Sequence, residues 1–323
     1  MNNFKKIGLT ALAGSLVATS VYAGEMSVSG SASWRISNHA GTDGGKTMAM
    51  GNQLTFTGGG EMDNGMNVSL SFILDQGDDH PATAASTANN EARADSSPFD
   101  SHSITVSSDA MGSITFAGEG ASSAQNTIDT TAAGDIWDNT FSGYTKAGNA
   151  SASKTLLWTL PSMVDGLGVV TSYNMSTAGE EATIGYALTY TGVEGLSVSY
   201  GMGEVGDTTA GTGGREVTTM KASFAFGPVT AAMSINDYDN TSKANQEQTS
   251  YKVSYSVTDE LSVSYGSETV EKTGSSTDAE FDKVAVSYTT GGLTLSASKS
   301  TADNVNHSAS EANHWDIGLS FAF

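Results

Sequence analysis

The sequence ends in HWDIGLSFAF, residues 314–323, a stretch in which apolar residues alternate with polar or small ones. The apolar set is Trp315, Ile317, Leu319, Phe321 and Phe323. The set between them is Asp316, Gly318, Ser320 and Ala322. Because successive side chains of a β-strand point to opposite faces, this period of two predicts a strand with one apolar and one polar face. The fold class therefore depends on what lies against each face.

The first 23 residues have the three features of a secretory signal peptide. Lys5 and Lys6 give a positive start, residues 7–17 form a short apolar centre, and residues 21–23 form a small-residue cleavage motif. The apolar centre is too short to cross a membrane as a helix. We therefore predict cleavage near Ala23, export from the cytoplasm, and a single mature domain of residues 24–323.

Composition and charge narrow the classes of protein. The chain has 14 Lys and Arg against 35 Asp and Glu, a formal net charge of −21, and no cysteine. Removing residues 1–23 takes away two lysines and no acid, so the mature charge is 12 − 35 = −23. The lack of cysteine excludes disulfides and thiolate chemistry, and the acidity argues against nucleic acid as a partner. No later stretch approaches 18 apolar residues, which excludes a helical membrane protein.

The same alternation recurs along the mature chain in about 16 segments. They are joined alternately by short turns and by longer polar connections, at residues 37–47, 76–101, 120–153, 175–181, 205–215, 239–248, 271–279 and 302–312. A soluble β-sandwich has no reason to sort its connections in this way. An outer-membrane β-barrel does, because its periplasmic turns are short and its extracellular loops are long. The pattern predicts an all-β, antiparallel transmembrane barrel of about 16 strands.

The residue types on the two faces agree with a barrel. Tyr251, Val253, Tyr255 and Val257 share one face, and aromatic residues near strand ends with aliphatic residues between them are typical of a lipid-facing wall. The opposite faces are rich in Ser, Thr, Gly, Lys and Asp, as a wet lumen requires. In the alternative interpretation, a secreted sandwich or adhesin, the same aromatic residues form an ordinary core.

Residues 25–323 as a whole resemble the general diffusion porins of Gram-negative outer membranes, and more closely the compact alphaproteobacterial type. In that family a terminal strand of alternating hydrophobic residues ending in Phe is an insertion signal for the barrel assembly machinery, which Trp315 to Phe323 match. The resemblance implies a homotrimer embedded in outer-membrane lipid, with residues 76–101 as a latch onto the neighbouring subunit. The PEFG motif of enterobacterial third loops is absent, so the details of their constriction are not transferred.

The longest connection, residues 120–153, is the candidate for narrowing the pore. A barrel of 16 strands is too wide to be filled by its own side chains, and a connection of this length is uncommon unless it has a function. It resembles the inward-folded third loop of porins in position, length and acidity. We predict an acidic constriction formed by Glu119, Asp129, Asp135 and Asp138; the alternative is an external loop with solvated acids.

Basic residues complete the predicted constriction. The alternation places Arg35, Lys221, Lys252 and Lys283 on lumen faces, where a basic wall opposite an acidic loop would orient water and disfavour apolar solutes. Simple solubility at the barrel rim is the alternative role for each lysine. The strongly negative total charge predicts a modest preference for cations.

No catalytic, metal or cofactor site is predicted. The acid-rich stretch from Asp75 to residue 79 suggests calcium, but it lacks the spaced ligands and closing glutamate of an EF-hand, so a solvated loop is preferred. The five histidines show no metal-ligand spacing. The prediction is a passive channel for small hydrophilic solutes. The alternatives are a substrate-specific channel, an outer-membrane barrel enzyme and a secreted β-rich surface protein.

Overall fold

A computed structural model describes residues 24–38, 46–75, 99–118, 122–136, 154–175, 182–205, 214–240 and 244–323. The predicted signal peptide lies outside these ranges. Sixteen strands form within them, which confirms the predicted number. They are β1 Met26–Asn38, β2 Lys46–Glu61, β3 Asn67–Asp75, β4 Phe99–Ser108, β5 Gly112–Ala117, β6 Thr155–Thr159, β7 Leu167–Asn174, β8 Thr183–Val193, β9 Leu196–Val205, β10 Arg215–Phe226, β11 Val229–Asn240, β12 Gln246–Ser256, β13 Leu261–Lys272, β14 Ala279–Thr290, β15 Leu293–Asp303 and β16 Glu311–Ala322.

The strands form one closed antiparallel barrel. Each strand pairs with its neighbours in sequence, and β1 pairs with β16 to close the ring. The backbone N–H of Phe323 donates to the carbonyl oxygen of Gly30, and the N–H of Gly30 donates to the carbonyl oxygen of Phe323, both at 2.9 Å. The alternating C-terminal strand therefore removes the open edge that β1 would otherwise present. No helix in the described part of the chain is long and apolar enough to cross a membrane.

The outer face of the barrel is apolar, as the alternation predicts. In β16, Ile317, Leu319 and Phe321 are exposed on this face, whereas Asp316 and Gly318 point to the lumen. The tyrosines of β9, β12, β13 and β14 are likewise exposed on the outside: Tyr200, Tyr251, Tyr255, Tyr265 and Tyr288. An apolar exterior with tyrosine near its edges is suited to a lipid bilayer.

Strand β2 is longer than predicted. The alternation in the sequence predicts this strand over residues 53–60, but β2 begins at Lys46, because it pairs with β1 over thirteen residues, from Asn38↔Lys46 to Met26↔Gly58. Met48 and Met50 continue its outward apolar face. Conversely, β5 and β6 have only six and five residues. The barrel wall is therefore low on one side.

The inner face is not uniformly polar, contrary to the expectation of a wet lumen throughout. At the loop ends of β13 to β15, inward side chains form a buried apolar cluster with Ile136 of the long connection and with Val305 of a short 3₁₀ turn, Val305–His307. The strand residues of this inner core are Val270, Ala279, Phe281 and Ala302. Alternation identified the inward positions correctly, but these side chains are dry because loop residues cover them.

Candidate functional site

Residues 122–136, called here the inner segment, lie inside the barrel against its wall. The segment begins at β7, where the N–H of Ala124 donates to Ser172 Oγ at 2.7 Å. It then passes a short 3₁₀ turn, Gln125–Thr127, and reaches β11, where Ser234 Oγ donates to the carbonyl oxygen of Thr130 at 3.0 Å. Further along it contacts β12 and β13. A loop that follows seven consecutive strands on the inside must narrow the lumen.

A buried polar network fixes the start of the inner segment. Gln125 Nε2 donates to Thr219 Oγ1 at 2.8 Å, and Thr219 Oγ1 donates to Asn236 Oδ1 at 2.6 Å. All three residues are fully buried. Buried polar side chains are stable only when paired, so this network holds the 3₁₀ turn in one position on β10 and β11.

A second anchor, formed by Ser250 and Glu268, fixes the other end. Ser250 Oγ accepts the N–H groups of Ala132 at 3.0 Å and Ala133 at 2.9 Å and donates to Glu268 Oε1 at 3.2 Å. Glu268 Oε2 accepts the N–H of Ile136 at 2.6 Å. Glu268 is only 1% exposed. The carboxyl group therefore holds the inner segment through one direct bond and one bond relayed by Ser250.

Glycines on the lumen face let the inner segment approach the wall closely. A Cβ atom on Gly266 of β13 would lie 2.7 Å from the Cβ of Ala133. A Cβ on Gly201 of β9 would lie 3.0 Å from Ile128 Cδ1. The first distance is shorter than carbon atoms tolerate, so a side chain at position 266 would displace the segment toward the lumen axis.

Two of the four predicted acidic residues lie in the described part of the chain. Asp129 Oδ2 forms an ion pair with Lys221 Nζ at 2.7 Å, and the same ammonium donates to the carbonyl oxygen of Thr131 at 2.8 Å. Asp135 also lies in the inner segment, with its N–H bonded to Thr131 Oγ1 at 2.9 Å. Glu119 and Asp138 lie outside the described residues. The structure thus places Asp129 and Asp135 inside the barrel.

The four predicted basic residues all point to the lumen, but not as one wall opposite the loop. Lys221, Lys252 and Lys283 are on β10, β12 and β14, on the same side as the inner segment, whereas Arg35 is on β1. Lys221 touches the segment directly instead of facing it across the lumen. The expected separation of an acidic loop from a basic wall therefore does not hold at Lys221.

Most acidic residues of the described strands lie on the outside of the barrel. By strand register, ten acidic residues share the outward face with the lipid-facing side chains: Glu204, Glu216, Asp237, Asp239, Glu247, Glu271, Glu280, Asp282, Asp303 and Glu311. Only two lysines of the described strands, Lys46 and Lys299, point outward. The outward face of the described strands thus carries a net charge of 2 − 10 = −8.

The inner face of the described strands has the opposite balance. It carries six basic residues: Arg35, Arg215, Lys221, Lys252, Lys272 and Lys283. Its strand acids are Glu61, Asp75, Glu268 and Asp316, to which the inner segment adds Asp129 and Asp135. The lumen is therefore close to neutral, in contrast to the exterior.

The sequence did not predict a role for three residues that hold the inner segment on the wall: Gln125, Ser250 and Glu268. In the sequence each is one polar residue among many, and their partners are 94 to 132 positions away. For Glu268 the sequence did hold a signal. Its position in β13 puts its side chain on the same inward face as Gly266 and opposite to the outward Tyr265. An inward glutamate in a strand of small residues marks a contact.

The remaining predicted sites are placed as follows. In β16, Ile317, Leu319 and Phe321, together with the terminal Phe323, are exposed on the outer face, and Trp315 shares that face. The suggested calcium stretch lies outside the described residues except for Asp75. Among the residues that the structure describes, no group of three His, Cys, Asp or Glu is arranged to hold a metal ion.

Comparison with known proteins identifies the family. The sequence matches the family described as Gram-negative porin over residues 8–323. The chain belongs to the Gram-negative porin family. No curated protein matches this porin. Membership and fold together place it in the outer membrane as a channel-forming barrel, with the apolar face in lipid and the inner segment in the aqueous lumen.

Solved structures share the fold at low sequence identity. The anion-selective porin from Comamonas acidovorans is 12% identical, with a TM-score of 0.69, over 93% of this chain and 100% of that one. OmpT of Vibrio cholerae, folded in vitro, is 13% identical, with a TM-score of 0.67, over 95% and 99%. A variant of the Rh. blastica porin is 14% identical, with a TM-score of 0.65, over 93% and 100%. At such identities the porin shares architecture with these proteins, not particular residues.

Proposed function

We propose that this porin is a passive channel that lets small hydrophilic solutes diffuse across the outer membrane. One observation carries the proposal: a closed barrel of sixteen strands is wide enough for water, and the inner segment is fixed along its wall, where it narrows that opening. Asp129, Asp135, Arg35, Lys221, Lys252 and Lys283 would line the narrow zone. The proposal involves no catalytic step.

The preference for cations predicted from the net charge is not part of this proposal. That prediction assumed that the acidic residues face the pore. In the described strands, ten of them face outward and the lumen side is nearly balanced. An ion in the lumen responds mainly to charges within about 10 Å at moderate salt, so the exterior acids are poor determinants of selectivity.

We further propose that three copies associate. A structure of OmpT of Vibrio cholerae is described as a trimer form, at 12% identity. In this porin, β6 has five residues, about 17 Å of strand, less than the apolar band of about 25 Å that a barrel presents to lipid. Outward apolar residues nearby include Leu70, Ile104 and Phe116. A neighbouring subunit would cover this low side of the wall. The proposed latch, residues 76–101, lies outside the described residues except for residues 99–101.

We propose that biogenesis proceeds as the sequence predicts. Cleavage near Ala23 would release the exported chain, and the alternating strand from Trp315 to Phe323 would be read by the barrel assembly machinery. The outward, exposed position of Phe321 and Phe323 supports this role, since both rings are accessible from outside the barrel.

The test is conductance of the detergent-purified, heat-modifiable protein in a planar lipid bilayer. A trimeric diffusion pore is expected to give large, voltage-tolerant steps that close in groups of three, and cross-linked trimers on gels. Folded protein without conductance would overturn the channel proposal, whereas single, independent closures and monomers after cross-linking would overturn only the trimer.

A further inference from the structure

Two lysines on the lumen wall lie in one row of the barrel. Lys252 of β12 is paired with Gly266 of β13, and Gly266 is paired with Lys283 of β14. All three positions lie on the inward face of their strands, as do Ser250 of β12 and Glu268 of β13. At about 4.8 Å per strand, the Cα atoms of the two lysines are about 10 Å apart. Both side chains are long enough for their ammonium groups to approach a single small ion between them.

The inner segment touches the wall between these two lysines. Gly266 lies under Ala133, so closely that a Cβ on the glycine would overlap with that residue. Lys252 and Lys283 therefore flank the contact where the segment narrows the lumen.

Neither lysine has an acidic partner in the part of the chain that the structure describes. The nearby lumen-side carboxyl groups are Asp129, Asp135, Glu268 and Asp316, and among the described residues none forms an ion pair with Lys252 or Lys283. Asp129 is paired with Lys221, and Glu268 accepts from Ile136 and Ser250. Asp316 accepts from Ser298 Oγ. Two half-buried lysines without an ion-pair partner concentrate positive charge at this point of the wall, beside the hydrogen-bonded carboxyl groups of Glu268 and Asp316.

The positive region continues along the wall. Arg35 and Lys283 both lie close enough to His314 to act on its imidazole electrostatically. Arg35 also borders a recess of about 300 Å³ lined by Ser33, Ser296 and Ser320 and by the carboxylate of Asp316. An anion that leaves Lys283 in this direction meets serine hydroxyl groups and Arg35, with Asp316 as the one carboxylate of the recess.

We propose that Lys252 and Lys283 form a binding site for small dianionic oxyanions at the constriction, of which inorganic phosphate is the simplest. This inference rests on the proposed channel function, because it places the site in the path of diffusing solutes. Ammonium groups make charge-assisted hydrogen bonds to phosphate oxygens. The site is open to water on the lumen side, so binding is weak enough for release, as conduction requires.

The test measures ion selectivity and phosphate block of single channels in 0.1 M KCl. The test variant is K252Q/K283Q, which removes both charges but keeps polar side chains of similar length. The matched control is K299Q, because Lys299 is an exposed lysine on the outer face of β15. Heat modifiability on gels verifies folding of each protein.

In the native porin, millimolar phosphate is expected to reduce the chloride current. In K252Q/K283Q, that block should weaken at least about tenfold, and the reversal potential in a KCl gradient should move toward the potassium potential. K299Q should behave as the native protein does. Unchanged phosphate block and reversal potential in a conducting K252Q/K283Q channel would overturn the site while leaving the channel function intact. Lack of conductance in the native protein would instead overturn the proposed function.

Discussion

Single residues decide where the inner segment lies. Glu268 is a buried carboxyl group in the wall of an otherwise wet lumen, and burial of such a group is costly unless its oxygens are hydrogen-bonded. Both oxygens are bonded, one to Ile136 and one to Ser250. One side chain of β13 thus ties down backbone that is 132 positions earlier in the sequence.

Replacing Glu268 with alanine should release the end of the inner segment. The N–H of Ile136 loses its acceptor, a charge-assisted bond of about 1.5–3 kcal/mol. Open-channel current noise should rise, and hydrogen exchange of residues 132–136 should become faster. Glu271→Ala is the matched control, because Glu271 is exposed on the outer face of the same strand. Equal exchange in both variants would show that Glu268 does not anchor the segment.

A methyl group on Gly266 should push the inner segment away from the wall. Gly266→Ala creates an overlap with Ala133 that costs about 1–3 kcal/mol if nothing moves. We expect the segment to move toward the lumen axis, so that single-channel conductance falls. Gly58→Ala is the control, since a Cβ at that position meets no atom within 4 Å. Identical conductance in the two variants would contradict the close approach.

Strands were the best predicted elements, because the alternation that marks a strand can be recognised from neighbouring residues in the sequence. The sequence predicted sixteen strands and the outward face of β16 correctly, since a lipid-facing wall selects apolar residues at alternate positions. It missed the first seven residues of β2, which form a strand through pairing with β1. It also missed the inner core around Phe281, because alternation shows which residues point inward but not what covers them.

Adjacent residues of β16 should respond in opposite ways to a buried charge. Leu319 is the middle residue of the five that face lipid, and Leu319→Lys should cost about 2–4 kcal/mol near the bilayer midplane. Ser320→Lys places the same charge in the lumen and should leave stability nearly unchanged. Urea unfolding in lipid vesicles compares the two. Similar midpoints would mean that the faces of β16 are misassigned.

At the scale of the whole molecule, charge is sorted between the two sides of the wall. The sequence contained the information needed to predict this sorting. Glu247 lies an even number of positions from Tyr251 and Val253 in the same strand, and so belongs to the outer face. A net charge summed over the chain hides this sorting. The position of the inner segment had no comparable local signal, because it depends on contacts with strands 48 to 132 residues away.

Neutralising outer acids should therefore leave selectivity unchanged. The variant E216Q/D237N/E247Q removes three negative charges from the outer face of β10 to β12, more than a tenth of the mature net charge of −23. We expect the native reversal potential in a gradient of 0.1 M and 0.5 M KCl, since screening limits the reach of these groups to about 10 Å or less. A shift as large as that of K252Q/K283Q would show that the exterior charge acts on the pore.

The seam between the two ends of the chain has a consequence for how the barrel can be made. Pairing of Arg35 with Gly318 joins positions 318 − 35 = 283 residues apart, whereas all other strand pairs join neighbours in sequence. Closing so large a loop is entropically expensive and gives no return until both edges meet. A chain that lacks β16 would remain an open sheet with two unpaired edges, so the barrel can close only after its last strand has been synthesised.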